Sequence, residues 1–414
     1  MRHSVFYRLG IVRCASMVVV AASLVGASCG EVTDPDAEVV TVGALVPLSG
    51  GQSALGEAVE ASLTLAADLI NASLEDAESP WRVNLRIEDS RSDPELAFEK
   101  LRAMSEDGVR VVVGPFDTDS IVFAAPLADR LSTVLLACAP VLPDTEDDND
   151  RLGRMFPALT REVDAVAEEL NSNGVKHVAF VGRDGDWSVA YIDMLADKLI
   201  DRGGTVRGTI LYDPNANDIN DFTDEMTELA GLLGPAINSF GSESVGVFLL
   251  TQDEGVQLFE QADAASVLGQ VRWFGSSGMS RIPEVLASSD ARSFAAATSY
   301  TAPLFYEVDS NGYQAVEQGV RDAIGRDVPS SAVVAYDALW IAALTINQVT
   351  NRSDPILLRG ALPNVLNGYA GVTGSFAPDG DGNRAEGGYD LWTVRQNGAN
   401  VEWVKTTAFE PPEE

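Results

Sequence analysis

The sequence predicts an α/β protein with two lobes, and three observations support this fold class. Apolar residues alternate in short runs that are typical of buried strands, and most runs are followed by a longer segment with helical spacing. Strict alternation of strands and helices is typical of parallel sheets. After an acidic stretch at residues 144–150 the same layout begins again and continues over a similar length, which predicts the second lobe.

The first strand, turn and helix set the pattern for the rest of the chain. Residues 40–46 alternate as a strand, the turn PLSGG at 47–51 ends it, and apolar residues from Leu55 to Ile70 follow at helical spacing. In open parallel sheets, ligands bind at the carboxyl ends of strands, where the N-termini of helices point. We therefore expect a ligand site at this end of the sheet.

The remaining elements follow in order. In the first lobe, strands are predicted at 81–88, 109–113 and 133–138, with helices beginning at Pro94 and close to Asp117. In the second lobe, strands are predicted at 178–181, 205–211, 245–250 and 271–275, and helices at 161–173, 189–202, 218–233 and 253–266. A later helix is predicted over 330–349, and residues 368–394 and 401–404 alternate like antiparallel strands.

The composition restricts the partners. The chain has 28 basic and 62 acidic residues, which gives a net charge of −34 at pH 7. Such a surface repels nucleic acid and anionic lipid headgroups, so neither is expected as a partner. The charge itself is explained equally well by a solubility surface. A hydrophobic content of 46% is ordinary for a globular protein.

The first 29 residues have the layout of a targeting segment. Three arginines precede an apolar run at 15–27 that is too short to span a membrane. The run ends in LVGASC, residues 24–29, which resembles the lipobox of bacterial lipoproteins, although Gly26 stands where leucine is usual. On this interpretation 1–29 is a lipoprotein signal peptide, Cys29 is retained as the lipidated N-terminus, and 30–37 is a polar tether. Plain secretion after cleavage next to Cys29 is the alternative.

The chain has 3 cysteines, and one of them lies in the predicted core. Cys14 belongs to the leader and Cys29 to the anchor, so Cys138 has no intrachain partner. Because it lies in the apolar run 134–140, we expect a buried and unreactive thiol. The fold therefore depends on its core and not on disulfides.

Five motifs occur in an order and spacing that resemble a known family: GALVPLSGGQSALGEAVEASLTLAADLIN, VVVGPFDTDS, VAFVGRDGDWSVAY, AYDALW and GVTGSFAPDGD. Together they are similar to the type I periplasmic solute-binding proteins, in the leucine/isoleucine/valine-binding branch that serves ABC importers. The resemblance covers roughly residues 38–405. It implies two Rossmann-like lobes with parallel sheets joined by three crossovers, a ligand in the cleft, and closure about a hinge. Lobe 1 would be 38–157 plus 303–372, and lobe 2 would be 158–302 plus 373–414.

The resemblance also implies a ligand site in the first lobe. In the family, a hydroxyl and backbone amides at the helix N-terminus after the third strand hold the ligand carboxylate. Thr118 stands at this position, preceded by Phe116 and Asp117. Exposed amides at the positive end of a helix make an anion site. The same residues also fit a plain helix cap, with Asp117 and Asp119 opposing a bound carboxylate, and both interpretations stay open.

At two positions the chain departs from the family pattern. The second hydroxyl of the carboxylate site falls at Val141, after Ala139 and Pro140, so that hydroxyl is missing. The acid that pairs with an amino acid's ammonium group falls at Ser277. A serine does not neutralise a buried ammonium as a carboxylate does, so a standard α-amino acid fits this pattern less well.

Further cleft residues are predicted from both lobes. The aromatic residue that covers the ligand in the family falls at Trp187, which provides an apolar wall or, alternatively, packs into the surface of its lobe. Thr251 and Gln252 follow a strand of the second lobe and are expected to line the same cleft. Leu55, at the start of the first helix, completes the predicted set of ligand-binding residues.

Two other kinds of site, an enzyme active site and a calcium-binding loop, fit the sequence less well than a solute-binding site. An enzyme is disfavoured because His177 is the single histidine after the leader, and no GxSxG, HExxH or P-loop signature is present. A calcium loop is suggested by Asp379, Asp381, Asn383 and Asp390, which match EF-hand positions. Arg384 replaces the glycine that such a loop needs, so a hairpin turn is favoured. No metal and no cofactor is expected.

The sequence therefore predicts a lipid-anchored, extracytoplasmic solute-binding protein located in the periplasm or at the cell surface. It would capture a small polar solute, amino-acid-like or another small carboxylate or amide, for an ABC permease in the membrane. The expected contact with the membrane is through the N-terminal lipid only, and a monomer is expected. A lipid-anchored sensor or scaffold with the same fold is the alternative.

Overall fold

In the computed structural model, residues 37–142, 152–214, 221–263 and 265–409 are described. They form two α/β lobes, each built on its own sheet, together with a small two-stranded ribbon. The predicted signal peptide, Cys29 and the acidic stretch at 144–150 lie outside these residues.

The chain first builds one parallel sheet. Its elements are β1 (Glu38–Val46), α1 (Ser53–Asp76), β2 (Trp81–Asp89), α2 (Pro94–Glu106), β3 (Val111–Val113), α3 (Thr118–Leu131), β4 (Val134–Ala137) and β5 (Leu152–Arg154). The strand order is β2-β1-β3-β4-β5, and every neighbouring pair is parallel. The parallel sheet predicted from the alternation of strands and helices is confirmed.

The chain then crosses to the second lobe. Its elements are α4 (Leu159–Ser172), β6 (His177–Arg183), α5 (Asp186–Asp201), β7 (Thr205–Tyr212), α6 (Thr223–Phe240), β8 (Val245–Leu250), α7 (Gly255–Gln261), β9 (Arg272–Gly275), α8 (Pro283–Ala287), α9 (Ser289–Ala297) and β10 (Thr301–Phe305). Strands β6 to β10 form the parallel part of the sheet, in the order β10-β9-β8-β6-β7.

The last part of the chain returns to the first lobe and then ends in the second. The elements are α10 (Asn311–Ile324), α11 (Ser330–Asn347), α12 (Pro355–Gly368), β11 (Ala370–Gly371), β12 (Gly374–Ser375), β13 (Tyr389–Asn397) and β14 (Asn400–Phe409). Strands β13 and β14 form an antiparallel hairpin on the edge next to β10. The antiparallel pairing agrees with the prediction from the alternating pattern, but the hairpin turn lies between Asn397 and Asn400 and not at residues 379–383, where the Asp- and Gly-rich turn predicted it.

Helix α11 forms the centre of the first lobe. It packs against α1 in the same core cluster, and most of its residues are apolar and buried, which is typical of a helix surrounded by protein. It is the one described helix with the length and hydropathy of a membrane span, and 78% of that segment is buried inside the fold. These properties are those of a core helix.

Two predicted lobe boundaries differ from the strand pairing. Residue 303 lies inside β10, which pairs with β9 and β13 in the second sheet, so the chain leaves the second lobe after Phe305. Residue 373 precedes β12, and Phe376 still belongs to the core of the first lobe. The third crossover therefore runs between Phe376 and β13.

A buried arginine joins the crossover segments. Arg384, in the third crossover, is fully buried and donates to the backbone oxygens of Ser375 at 2.8 Å and Met155 at 3.3 Å, as well as to Thr373 O. Its guanidinium carbon lies 3.9 Å from the ring centroid of Phe376 and 5.1 Å from that of Phe305. Met155 begins the first crossover and Phe305 lies at the start of the second. The side chain of Arg384, in the third crossover, therefore contacts residues at the other two.

Candidate functional site

A cavity of about 150 Å³ lies between the two lobes. It stands at the carboxyl ends of the parallel strands, where the turn after β1 predicted a ligand site. Its walls come from both lobes and from the crossovers. The lining includes Gln52, Leu55, Phe116, Asp117, Thr118, Asp119, Cys138, Ala139, Phe156, Glu162, Trp187, Gln252, Asp253, Ser277, Arg281, Leu304, Phe305, Arg326 and Tyr389.

Most of the residues predicted for ligand binding are brought together here. Eight of them line the cavity: Leu55, Phe116, Asp117, Thr118, Ala139, Trp187, Gln252 and Ser277. Val141 and Thr251 do not line it. Val141 is buried in the core cluster beside α3, and Thr251 lies fully buried beneath the start of α7. The binding role of all ten residues stays a prediction.

At the N-terminus of α3, the chain's own carboxylate occupies the helix cap. Asp117 Oδ1 accepts a hydrogen bond from Ser120 N at 2.7 Å, and the Thr118 hydroxyl donates to Pro140 O at 2.8 Å. Burial raises the pKa of Asp117 to about 6. The geometry is that of a plain helix cap, the second of the two interpretations of this segment. Thr118 has no free hydroxyl proton for a ligand.

Glu162 is the acid that the sequence interpretation missed. It lies in the first turn of α4 and its carboxylate accepts from Ser277 N and from Ser277 Oγ, both at 2.9 Å. Tyr191 OH donates to the same carboxylate at 3.4 Å. Glu162 is 1% exposed, and burial raises its pKa to about 7. A carboxylate therefore reaches the position where the sequence has only the serine hydroxyl of Ser277.

Aromatic side chains form much of the cavity wall. The rings of Phe156 and Phe305 meet edge to face with centroids 4.9 Å apart, and Phe305 meets Tyr389 in the same way at 6.2 Å. The hydroxyl of Tyr389 is buried and has no hydrogen-bond partner among the described residues. Trp187 lines the cavity and also packs edge to face on Tyr191, with centroids 5.9 Å apart, and its role as a wall for a ligand stays a prediction.

The two lobes touch around the cavity. Asp119 in α3 accepts a hydrogen bond at 3.1 Å from the backbone N–H of Trp187 in α5. Asp253 N, which follows β8, donates at 3.1 Å to Gly51 O, which follows β1. A Cβ atom at Gly51 would stand 2.8 Å from Gln252 Oε1, so a glycine permits this close approach. These contacts are those of a closed arrangement.

Carboxylates outnumber free cations at the cavity. Burial, with the nearby charges of Glu284 and Glu254, raises the pKa of Asp253 to about 7. Both arginines that line the cavity already have acidic partners: Arg281 pairs with Glu307, and Arg326 pairs with Glu57 at 2.8 Å.

The residues that were candidates for catalysis or metal binding make contacts that serve the fold. Burial raises the pKa of Cys138 to about 12, as expected of an unreactive thiol. His177 stacks on Phe240 and is absent from the cavity wall. Asp379 accepts from two backbone amides of its own turn, and Asp390 pairs with Lys405 at 3.0 Å. Among the described residues no group of three or more His, Cys, Asp or Glu side chains is arranged to hold a metal ion.

Two α/β lobes, three crossovers and a cavity at facing strand ends define a bilobed solute-binding class of protein. The family model described as periplasmic binding protein matches residues 39–399, and the chain belongs to this family. The resemblance stated from the sequence motifs is confirmed at this level.

Individual relatives are distant. An uncharacterised protein of Methanocaldococcus jannaschii is 24% identical over 389 residues, which cover 89% of this chain and 90% of that protein. The fold matches that of the leucine-binding protein LivK from Thermotoga maritima, with a TM-score of 0.73, 16% identity, and coverage of 90% of this chain and 99% of that one. It also matches an ABC transporter solute-binding protein of R. palustris in complex with 4-hydroxybenzoate, with a TM-score of 0.72, 13% identity, and coverage of 90% and 97%.

Proposed function

We propose that this chain is an extracytoplasmic, lipid-anchored solute-binding protein that captures a small polar solute between its lobes and delivers it to an ABC importer. The observation behind the proposal is the cavity of about 150 Å³, which takes its walls from both lobes and lies under direct contacts between them. A site of this kind encloses a ligand only when the lobes meet, so binding and closure are coupled.

The comparisons support the class of function. Periplasmic binding proteins as a family are extracytoplasmic, and the solved relatives are described as binding leucine or 4-hydroxybenzoate. The candidate solutes for this chain are accordingly small and polar: amino-acid-like compounds, other small carboxylates, and amides. The lipid anchor rests on the lipobox-like segment that ends at Cys29.

Ligand binding in this proposal uses the two walls of the cavity differently. The first lobe provides Leu55, Phe116 and the capped end of α3, whereas the second provides Trp187 and the Glu162–Ser277 pair. A solute that bridges both walls favours the closed state, in which Asp119 reaches Trp187 N and Gly51 O reaches Asp253 N. A permease would then distinguish the loaded protein by the closed arrangement of its lobes.

The test is a thermal-shift screen of the full chain in mild detergent against amino acids, amides, urea, small carboxylates, aromatic acids, amines and sugars. A ligand at a hundred times its dissociation constant stabilises the folded state by about 2.7 kcal/mol, which is readily detected. A hit in one chemical class supports solute binding. If no class raises the melting temperature, the sensor or scaffold alternative replaces the importer proposal.

Trp187→Ala tests the location of the site. The substitution removes an aromatic wall of the cavity, so we expect a hit from the screen to bind about tenfold more weakly while the fold is retained. Val189→Ala is the matched control because Val189 is an exposed apolar residue on the same helix. Equal affinities for the two variants would remove Trp187 from the site.

A further inference from the structure

Around the cavity the arginines have ion-pair partners, whereas most of the carboxylates do not. Five carboxylates line it: Asp327 is paired with Arg281 and Arg321, and the other four are Asp117, Asp119, Glu162 and Asp253. None of the four forms an ion pair with another described residue. The arginines nearby are paired with other acids: Arg281 with Glu307 and Asp327, Arg326 with Glu57, and, just outside the lining, Arg183 with Glu254 at 3.5 Å. Arg183 lies near Asp117, Asp119 and Asp253, so Glu162 is the acid of the four that has no described cation beside it, and the acids of the cavity still outnumber its cations.

This charge opposes an anionic ligand. A carboxylate that entered the cavity would be desolvated close to four acids, and the helix N-terminus after β3, that of α3, already holds Asp117. Burying a charge without a partner is costly, and like charges within a few ångströms add to the cost. A ligand with a positive charge instead relieves the imbalance.

Two independent features also favour a cation. Tyr389 lines the cavity and is 1% exposed, and its buried hydroxyl has no hydrogen-bond partner among the described residues, so this oxygen is available to accept a bond from a ligand N–H. The wall is rich in aromatic rings, namely Phe116, Phe156, Trp187, Phe305 and Tyr389. Aromatic rings attract cations through their quadrupole, and more strongly where water is excluded.

We propose that the cavity selects a small organic cation, an ammonium or amidinium group on an apolar body without a carboxylate, and that Glu162 is its charge partner. This inference rests on the proposed solute-binding function and replaces the carboxylates and amides named there with organic cations as the solute class. It places the charged end of the ligand toward the second lobe and the apolar end among the aromatic side chains.

Glu162 is the best-positioned of the four acids. Its two oxygens are held by Ser277 N and Ser277 Oγ, so the carboxylate is fixed in place, and an ionised carboxylate has about four acceptor sites, of which these two and Tyr191 OH use three. By comparison, Asp117 and Asp119 are engaged by the helix ends of α3 and α5. Asp253 has Arg183 and Arg326 in its surroundings.

The experiment compares ligands that share one body and differ in charge. Isothermal titration calorimetry on the full chain in detergent would use benzylamine, benzamidine, benzamide and benzoate, and then isoamylamine, isovaleramide, isovalerate and leucine. We expect the amines and the amidine to bind at least about tenfold more tightly than the amides, and no binding of the carboxylates.

The substitution Glu162→Gln tests the contribution of the side chain's charge separately from that of its shape. The amide keeps the size of the side chain and an oxygen acceptor, so we expect affinity for the amines to fall about 100-fold while affinity for the matched amides is unchanged. Glu168→Gln is the control because Glu168 lies on the same helix, is exposed and pairs with Arg202 at 3.3 Å. Circular dichroism of both variants establishes that each is folded.

The outcomes separate the two proposals. If benzoate, isovalerate or leucine binds as tightly as the amines, the cation inference is wrong and the solute-binding function stands. If amines bind equally well to Glu162→Gln and to the wild type, Glu162 is not the charge partner and the inference is overturned as stated. If no member of this set or of the wider screen binds, both proposals fail.

Discussion

Asp119 of the first lobe caps a helix of the second: its Oδ1 accepts a hydrogen bond at 3.1 Å from the backbone N–H of Trp187 in the first turn of α5. Helix α5 has Gly185 at its N-cap position and no side-chain cap of its own. The free N–H groups of a helix N-terminus need an acceptor, and here the other lobe supplies it. The N-terminus of α5 therefore gains this hydrogen bond only when the two lobes are in contact.

Asp119→Ala is expected to weaken ligand binding without unfolding either lobe. Loss of an N-cap acceptor costs about 1 kcal/mol, which corresponds to roughly fivefold in affinity if the bond exists only in the closed state. Calorimetry with a ligand from the screen measures the change. Asp93→Ala is the matched control because Asp93 caps α2 inside the first lobe, by accepting from Glu95 N and Leu96 N.

The two cap variants should differ in what they change. Asp93→Ala should lower the free energy of unfolding by a similar amount and leave affinity unaltered, since both ends of its bonds are in one lobe. If Asp119→Ala behaves in the same way, the interlobe bond does not contribute to closure.

The buried carboxyl of Glu162 gives the ligand-free protein a predictable dependence on pH. Its pKa is raised by burial from 4.5 to about 7, and the side chains that face it, Ser277, Tyr191 and Tyr389, bring no positive charge. Between these pH values the folded state holds a proton that the unfolded state has released, so the free energy of unfolding falls as pH rises. Well above about pH 7 the folded state carries the full free-energy cost of burying an ionised Glu162.

Glu162→Gln should remove that penalty. We expect the variant to melt at a higher temperature than the wild type at about pH 8 and at a similar temperature at about pH 3.5, below the unfolded-state pKa of 4.5, where Glu162 is largely protonated in both states. Glu168→Gln should show no such difference between the two pH values because its side chain is exposed. Thermal melts in matched buffers are the measurement, and a gap that is constant with pH would argue against an ionisable Glu162.

Arg384→Met should destabilise the protein by about 3 kcal/mol or more. The substitution keeps part of the apolar stem but leaves the carbonyls of Thr373 and Ser375 buried without their donor. Urea denaturation of the ligand-free chain measures the change. Arg395→Met, at an exposed position on β13, is the control and should lie within about 0.5 kcal/mol of the wild type. Similar midpoints for both variants would contradict a structural role for Arg384 at the crossovers.

Cys29→Ser should release the protein into the soluble fraction because the proposed anchor is the lipid alone. Fractionation of cells into membrane and soluble material, followed by immunoblotting, is the measurement. Cys14→Ser serves as control, since Cys14 lies within the leader and should not affect anchoring. Retention of the Cys29→Ser variant in membranes would show that the lipobox interpretation is wrong.

Regular patterns made most of the fold predictable, and the elements that were missed have local reasons. Strands β1, β2 and β8 alternate or form short apolar runs with clear ends, and the structure has them close to the predicted positions. Strand β10 was not predicted: all five of its residues are buried, so nothing alternates, and Pro303 is unusual in a strand interior. Helix α6 begins later than predicted and runs past the predicted end at residue 233, with Pro235 inside it.

The candidate site was predictable only where it follows the ends of strands. Asp117, Trp187 and Ser277 each come shortly after a strand, so sequence order alone places each at the carboxyl edge of the sheet of its own lobe. Glu162 lies 115 residues from Ser277 and reaches it because α4 packs on β10 and β13, next to the strand β9 that Ser277 follows. One signal was available: Glu162 shares a helix face with Leu159 and Val166, where an acid is out of place.

The two-piece construction of the first lobe has a consequence for how the protein is made. Helix α1 packs against α10 and α11, which leave the ribosome long after it. Until synthesis passes Asn347, the apolar face of α1 has no covering helix, and the sheet behind it remains open on that side. An export machinery that takes the chain from its N-terminus therefore receives a first half that is still incomplete, and any truncation before Ser330 yields a product that cannot close its core.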